Sequence, residues 1–208
     1  MTSRAETAAA TRRALLDAAA GLLDIGGPEA VTLREVGARV GVTRSAAYRH
    51  FLDKDDLIAA VGTEAWDELT AKFEDLSRGV HPGTDPREVV RDALLSILRV
   101  GRDHPNIYRV MFVSTALGPP AIEEAANRAA EVYLKIIAMA VGDDQARRFG
   151  GLLLSGALGM ALLEVSGQLS PAKWPSAEEL VDLFITLLPS DPPAVAPHDA
   201  AYRRAVDR

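Results

Sequence analysis

An all-helical fold is predicted by three features of this chain. Apolar residues recur at the three- and four-residue spacing of helices, and no stretch shows the strict alternation of a half-buried strand. Side-chain caps, first-turn prolines and stop glycines divide the chain into about nine helical stretches. No internal repeat appears. With 208 residues, 48% hydrophobic and 25% charged, the chain has ordinary globular composition and ample material for a core.

The first helix runs from about Thr7 to Asp24, with Leu15, Ala19, Leu22 and Leu23 on one face, and Gly26-Gly27-Pro28 stops it. Arg12 and Arg13 on its outer side suit either solvent or a nucleic-acid backbone. Thr32 then caps a second helix and Glu35 stands three residues on, the pattern of a reciprocal capping box. Leu33, Val36 and Val40 mark its inner face, and Gly41 supplies the left-handed stop. Thr43 caps a third helix within a few residues, held by Val42, Ala47 and Phe51. Two short helices joined by a sharp glycine turn make a helix-turn-helix.

Asp53 caps a long helix, with Asp56 at its third position, and Leu57, Val61, Trp66, Leu69, Phe73 and Leu76 run along it to about Arg78. Gly79 to Asp85 is a loop by its glycine and proline content. Asp85-Pro86-Arg87-Glu88 opens the fifth helix with cap, first-turn proline and acidic third position in register. Val89, Leu94, Leu95, Ile97 and Leu98 follow until His104-Pro105 breaks it. A short helix from Asn106 to about Thr115 presents Ile107, Tyr108, Met111 and Phe112. Gly118-Pro119-Pro120 begins the next, which carries Ile122, Ala126, Ala129, Tyr133, Ile136 and Ile137 and ends near Val141.

Asp143 is expected to cap a helix through Val165 that is apolar on nearly every side, and so buried on nearly every side. Gly151, Ser155, Ala157 and Gly159 leave shallow grooves on it for close helix approach. Its uncharged run, Phe149 to Leu163, is shorter than a membrane span requires. Ser176-Ala177-Glu178-Glu179 boxes the start of a last helix bearing Leu180, Leu183, Phe184, Leu187 and Leu188. The proline-rich remainder is expected to be a flexible tail. The expected organisation is a head over residues 1–53, a body over 54–188 and a tail over 189–208.

Charge and composition narrow the function. The net charge is −6, yet residues 1–54 carry eight Lys or Arg against six Asp or Glu, so a modestly basic head sits on an acidic body. There are no cysteines, which excludes disulfides, thiol redox sensing and cysteine-ligated metal. The four histidines, His50, His81, His104 and His198, stand in no metal-ligand spacing, and Ser155 lacks the upstream glycine of a nucleophile elbow. No catalytic residue, metal or cofactor is expected. The N-terminus lacks the apolar core of a secretory signal, so a soluble cytoplasmic protein without membrane contact is expected.

The polar face of the third helix, Arg44, Ser45, Ala46, Tyr48, Arg49 and His50, suits a DNA major groove. Its small residues let the helix approach base edges, Ala46 can meet a thymine methyl, and Arg44 can reach guanine or phosphate. Thr43, Tyr48 and His50 are suited to phosphate oxygens, and Lys54 adds a cation at the start of the next helix. A helix-turn-helix reads few base pairs, so specificity calls for a dimer on two half-sites.

Thr32, Gly41-Val42-Thr43, Tyr48-Arg49-His50-Phe51, Lys54 and Leu57-Ile58 together resemble the TetR/AcrR-type bacterial transcriptional regulators. Ser45-Ala46-Ala47 departs from the glycine, threonine and bulky aliphatic that many members carry, and leaves base preference open. His104-Pro105, Tyr108 and Met111-Phe112 look like the effector domain of the WHG subgroup, to which the Ala-Ala pair is also similar. The resemblance implies Thr32, Thr43, Arg44, Ser45, Ala46, Tyr48, Arg49, His50 and Lys54 as DNA contacts.

It further implies that the last two helices pair with their copies as a four-helix bundle, with Phe149, Leu153, Ala157, Met160, Leu180, Phe184 and Leu187 at the interface. The other reading is that both helices fill the monomer core. The large side chains Trp66, Leu69, Phe73, Leu98, Tyr108, Met111, Phe112, Tyr133 and Met160 suit a core, and the resemblance adds an effector cavity among them. The function so implied is a dimeric repressor on a palindromic operator, released by a small apolar or amphipathic effector. The alternative is a helical regulator that binds DNA constitutively or acts through a protein partner.

Overall fold

The computed structural model describes residues 3–112, 120–170 and 172–189. Nine helices and no strand are present among them: α1 (Arg4–Ala30), α2 (Leu33–Val40), α3 (Arg44–Ala47), α4 (Lys54–Arg78), α5 (Pro86–Asp103), α6 (Pro105–Phe112), α7 (Pro120–Val141), α8 (Asp143–Val165) and α9 (Ala177–Thr186). The expected end of α6 near Thr115, the Gly118-Pro119 start and the tail beyond Pro189 lie outside the described residues.

The starts and stops follow local chemistry. α1 begins earlier than apolar periodicity suggests because Ser3 and Glu6 form a full capping box, Glu6 N–H to Ser3 Oγ at 3.1 Å and Ser3 N–H to Glu6 Oε2 at 2.6 Å. It breaks where expected, at Gly27, and a single turn from Pro28 to Ala30 completes it. Thr32 caps α2 by accepting from Glu35 N–H at 3.1 Å, but the reciprocal half of that box is absent. The Glu35 carboxylate faces Arg39 one turn on, at 3.9 Å, instead. Gly41 ends α2 at φ 75°, a left-handed conformation that costs glycine nothing. Thr43 caps α3 through Ala46 N–H at 3.2 Å. Before α8, Gly142 occupies the cap position and Asp143 lies inside the first turn, so Asp143 meets the helix dipole rather than capping it.

One continuous apolar core runs from Leu15 of α1 to Leu188 after α9. α1, α2 and α3 close around Leu15, Leu16, Leu23, Val36, Ala47 and Phe51. α5 is the axis of the body, with Val89, Val90 and Ala93 to Leu98 all buried between α4, α6, α7, α8 and α9. α4 lies along α7 and crosses α6, and its first turns support α1. Where helices press closest, glycines face neighbours: Gly101 meets Ala161, Gly150 meets Leu134, and Gly156 meets the Phe184 ring.

α8 departs from expectation. It is buried on one side only, through Ala146, Gly150, Leu153, Ala157, Met160 and Ala161. Leu152, Leu162, Leu163 and Val165 stand exposed on the other, so an all-round apolar pattern did not mean all-round burial in a single chain. The complete 23-residue helix is also long and apolar enough to cross a membrane by length and composition, although its uncharged stretch is shorter. α9 is fastened to α5 by arginines. Arg91 Nε donates to Asp182 at 2.5 Å, Arg87 donates to the Leu188 and Pro189 carbonyls at 2.9 and 2.7 Å, and Arg102 bridges Glu164 and Glu178 at 2.9 Å each.

Candidate nucleic-acid interface and effector cavity

α3 is one hydrogen-bonded turn, and it is aimed by its surroundings. Ala47 is fully buried against α2, where Gly37 leaves room for it, and Phe51 anchors the far end. Arg12 of α1 lies over the Phe51 ring at 5.0 Å. After Ala47 the backbone tightens, with Arg49 N–H bonding Ala46 O and His50 N–H bonding Ala47 O. This carries Tyr48 and Arg49 outward.

The outer face collects most residues singled out from sequence. Thr43, Arg44, Ser45, Tyr48 and Arg49 are exposed, and Ala46 and His50 are half-buried. The Arg44 guanidinium lies over the Tyr48 ring at 5.4 Å, which holds both on one side of the turn. Thr43 Oγ1 and Ser45 Oγ are 3.1 Å apart, so the cap hydroxyl is shared with the helix face. Lys54 Nζ approaches Glu29 at 3.8 Å from the first turn of α4, a surface pair that phosphate could replace. Thr32 is exposed at the start of α2, where the first-turn N–H groups favour an anion. Arg34, exposed in that same turn, is a cation that the sequence reading did not name.

The arginines of α1 are committed elsewhere. Arg13 Nε donates to Asp17 at 2.9 Å and its guanidinium also reaches Glu64 of α4 at 3.6 Å. Burial raises the Glu64 carboxyl above its ordinary range, and Arg13 and then Arg12 oppose that shift. A second junction joins α1 to the body: Asp24 Oδ2 meets His104 Nδ1 at 2.7 Å, and Asn106 donates to the Asp24 carbonyl at 3.3 Å. These pairs tie the basic head to α4 and α6.

The body holds a cavity of about 40 Å³ between α4, α5, α7 and α8, with Phe112 of α6 at its edge. Of the large side chains named from sequence, Trp66, Leu69, Phe73, Phe112 and Tyr133 line it, together with Ile97 and an alanine face on α7. Leu98, Tyr108, Met111 and Met160 do not. Leu98 and Met111 are sealed in the core, and Tyr108 turns its hydroxyl to the Leu158 carbonyl at 3.2 Å. Tyr133 likewise donates to the Gly150 carbonyl at 3.2 Å. Burial raises both phenols, Tyr108 to about 12, so neither ionises near neutrality.

The residues named for pairing of copies fall on two sides. Leu153, Ala157 and Met160 are buried in the monomer and do not reach the outer face. Phe149, Leu180 and Phe184 are half-buried, and the Phe184 ring packs on Gly156 of its own chain. Leu187 alone of the set is well exposed, beside Leu183. The open side of α8 is displaced by about one residue in phase and consists of Gly151, Leu152, Ser155, Gly159, Leu162 and Leu163.

Among the described residues no group of three His, Asp or Glu is placed to hold a metal. The chain matches known proteins along most of its length. Residues 15–61 match the family model for bacterial regulatory proteins of the tetR family, and residues 90–188 match the tetracyclin repressor-like C-terminal domain. The HTH-type transcriptional regulator AcrR of Shigella flexneri is 35% identical over 91 residues, 42% of this chain and 40% of that protein. The chain thus spans less than half the length of this curated relative in the alignment. A protein of unknown function from Rhodococcus sp. RHA1 superposes with a TM-score of 0.71 at 21% identity, covering 86% of this chain and 95% of the other. AibR, solved in complex with isovaleryl coenzyme A and operator DNA, superposes with a TM-score of 0.59 at 16% identity, covering 86% and 97%. At such identities the structures speak for the fold, and the two family matches speak for descent. Matched in both its DNA-binding head and its body, the chain belongs to the TetR family of bacterial transcriptional regulators.

Proposed function

We propose that the protein is a ligand-responsive repressor that binds a palindromic operator as a homodimer and releases it when a small apolar or amphipathic effector enters the body. The observation that carries this reading is the course of α4. Its first residue, Lys54, follows directly on the helix-turn-helix, and Trp66, Leu69 and Phe73 farther along the same helix wall the cavity. A ligand that favours one placement of α4 therefore biases the recognition turn, and DNA by linkage weakens the ligand equally. Residues 1–53 act as the DNA-binding head, residues 54–188 as the effector and dimer body, and the site of action is the cytoplasm.

Three features support the parts of this reading. The exposed cluster of Thr43, Arg44, Ser45, Tyr48 and Arg49 offers donors for phosphate and base edges. The open apolar stripe on α8 and α9 suits a second copy, with Gly151, Ser155 and Gly159 allowing close approach. The fold likeness to AibR, which holds a coenzyme A ester and operator DNA, supports an effector with an apolar part.

The test is fluorescence anisotropy with labelled duplex from upstream of the protein's own coding region and a shuffled control, at near-physiological salt. Tight binding to the native duplex alone, with two protomers or a multiple of two per site, is the expected result. Equal weak binding to both, lost as salt rises, would leave only backbone attraction and turn the search toward a protein partner.

A further inference from the structure

We propose that the cleft where the head meets the body is a binding site for a small carboxylate with an apolar body, held at its charged end by Lys72 and Arg99. The site lies apart from the body cavity and does not depend on it. Its volume is about 400 Å³, within the range of small-molecule sites, and α1, α4, α5 and the first turn of α6 all contribute walls.

The floor of the cleft is hydrocarbon. Leu69 and Ile107 are buried beneath it, and Ala20, Ala65 and Val100 are half-buried beside them. The rim is charged, with Glu68 and Lys72 of α4, Arg99 of α5 and His104 at the break between α5 and α6 all exposed.

These charges are unequally committed. The Asp24 carboxylate and His104 Nδ1 answer each other at 2.7 Å, and the Ser96 hydroxyl donates to the Asp92 carbonyl at 2.8 Å. Lys72, Arg99 and Glu68 form no ion pair among the described residues. Arg99 stands alone among the arginines of α5 in this respect, since Arg87, Arg91 and Arg102 each meet a partner in or beside α8 and α9. Two uncommitted cations therefore share the rim with one uncommitted anion, and the excess is positive.

That excess selects the ligand. A guanidinium offers paired N–H donors that match a carboxylate, and the Lys72 ammonium adds a point charge. A bare oxyanion would satisfy the rim and leave the floor in water, while an amine would meet an excess of like charge. An occupant touches Ala20 of the head and Leu69 of the body at once, so its binding favours this placement of the two.

The experiment titrates benzoate, benzamide, benzylamine and inorganic phosphate into the full-length protein at pH 7.5 and constant ionic strength. The methyl NMR signals of Val100 and Ile107 report the cleft, and those of Ala126 and Ala129 report the body cavity. Benzoate is expected to move the cleft signals and to bind about fivefold more tightly than benzamide, with benzylamine weakest and phosphate leaving Ile107 unmoved. Lys72→Gln and Arg99→Gln, both at exposed positions, are each expected to bring benzoate toward benzamide and to leave benzamide unchanged. Benzamide equal to benzoate, benzylamine tightest, phosphate as effective as benzoate, or a preference that survives both substitutions together would overturn the proposal. So would shifts confined to Ala126 and Ala129, or cleft signals that none of the four compounds moves.

Discussion

The outer face of α3 and the outer face of α8 are both unpacked in the single chain, but one is made of Arg44, Ser45, Tyr48 and Arg49 and the other of Leu152, Leu162, Leu163 and Val165. The first rests in water at no cost, since each of its groups is hydrated, and it can therefore be covered and uncovered. The second is costly in water: its leucines are 38–58% exposed, so each forgoes on the order of 1 kcal/mol that full burial would return. A surface of that kind is built to stay covered. Under the proposed function the difference would set an order of events, in which pairing of the bodies precedes and outlasts every encounter of the heads with DNA.

The comparison is most directly broken at α8. Replacing Leu152 and Leu162 together by Asp is expected to weaken self-association by more than about 3 kcal/mol, beyond a hundredfold, in sedimentation velocity, with the helical circular dichroism kept. A dimer that survives would place the pairing surface elsewhere. Leu153→Ala, one residue away on the buried side, is expected to cost about 2–5 kcal/mol of stability in urea unfolding, through a cavity in the monomer core. On the polar face, Arg44→Ala should lower operator affinity by about 1–3 kcal/mol without altering association or stability.

The smallest effect sharpens what the body tolerates. The phenols of Tyr108 and Tyr133 are raised by burial, so their contribution is full below pH 10 and is lost as the pH climbs through 10 toward 12. The unaltered protein should lose on the order of 1 kcal/mol more between pH 8 and pH 11 than the double variant Tyr108→Phe, Tyr133→Phe, which starts lower because two hydrogen bonds are gone. Urea midpoints at the two pH values measure this; parallel loss would mean that both phenols titrate in the fold as they do in the unfolded chain.

The head was legible because its instructions are local. Thr32, Gly41 and Thr43 each act on backbone groups within a few residues, and each is found at the terminus its chemistry implies. Glu35 was misread as half of a capping box because Arg39, four residues on, competes for the same carboxylate. The body was legible in outline and not in phase. α8 carries leucines on all sides, so periodicity alone could not tell the side of Leu153 from that of Leu152. The arginines of α5 that hold α9, Arg87, Arg91 and Arg102, meet partners more than sixty residues away and leave no trace at short range. The cavity divided the large side chains for a similar reason, since Leu98 and Trp66 differ in which neighbours face them, not in character.

Under the proposed function, Gly62 offers a pivot through which a bias at the cavity would reach the head. A side chain there would run into Val110 of α6 and Ile122 of α7, at 2.8 and 2.7 Å, so α4 touches both helices through bare backbone. Sliding α4 would carry a neighbouring side chain into that space, whereas a tilt about Gly62 would not. At 1.5 Å per residue, Lys54 is about 12 Å from that crossing on one arm and Phe73 about 17 Å on the other. In the proposed switch Gly62 would be the pivot: a push on Phe73 would swing Lys54 the other way, by about two-thirds as much.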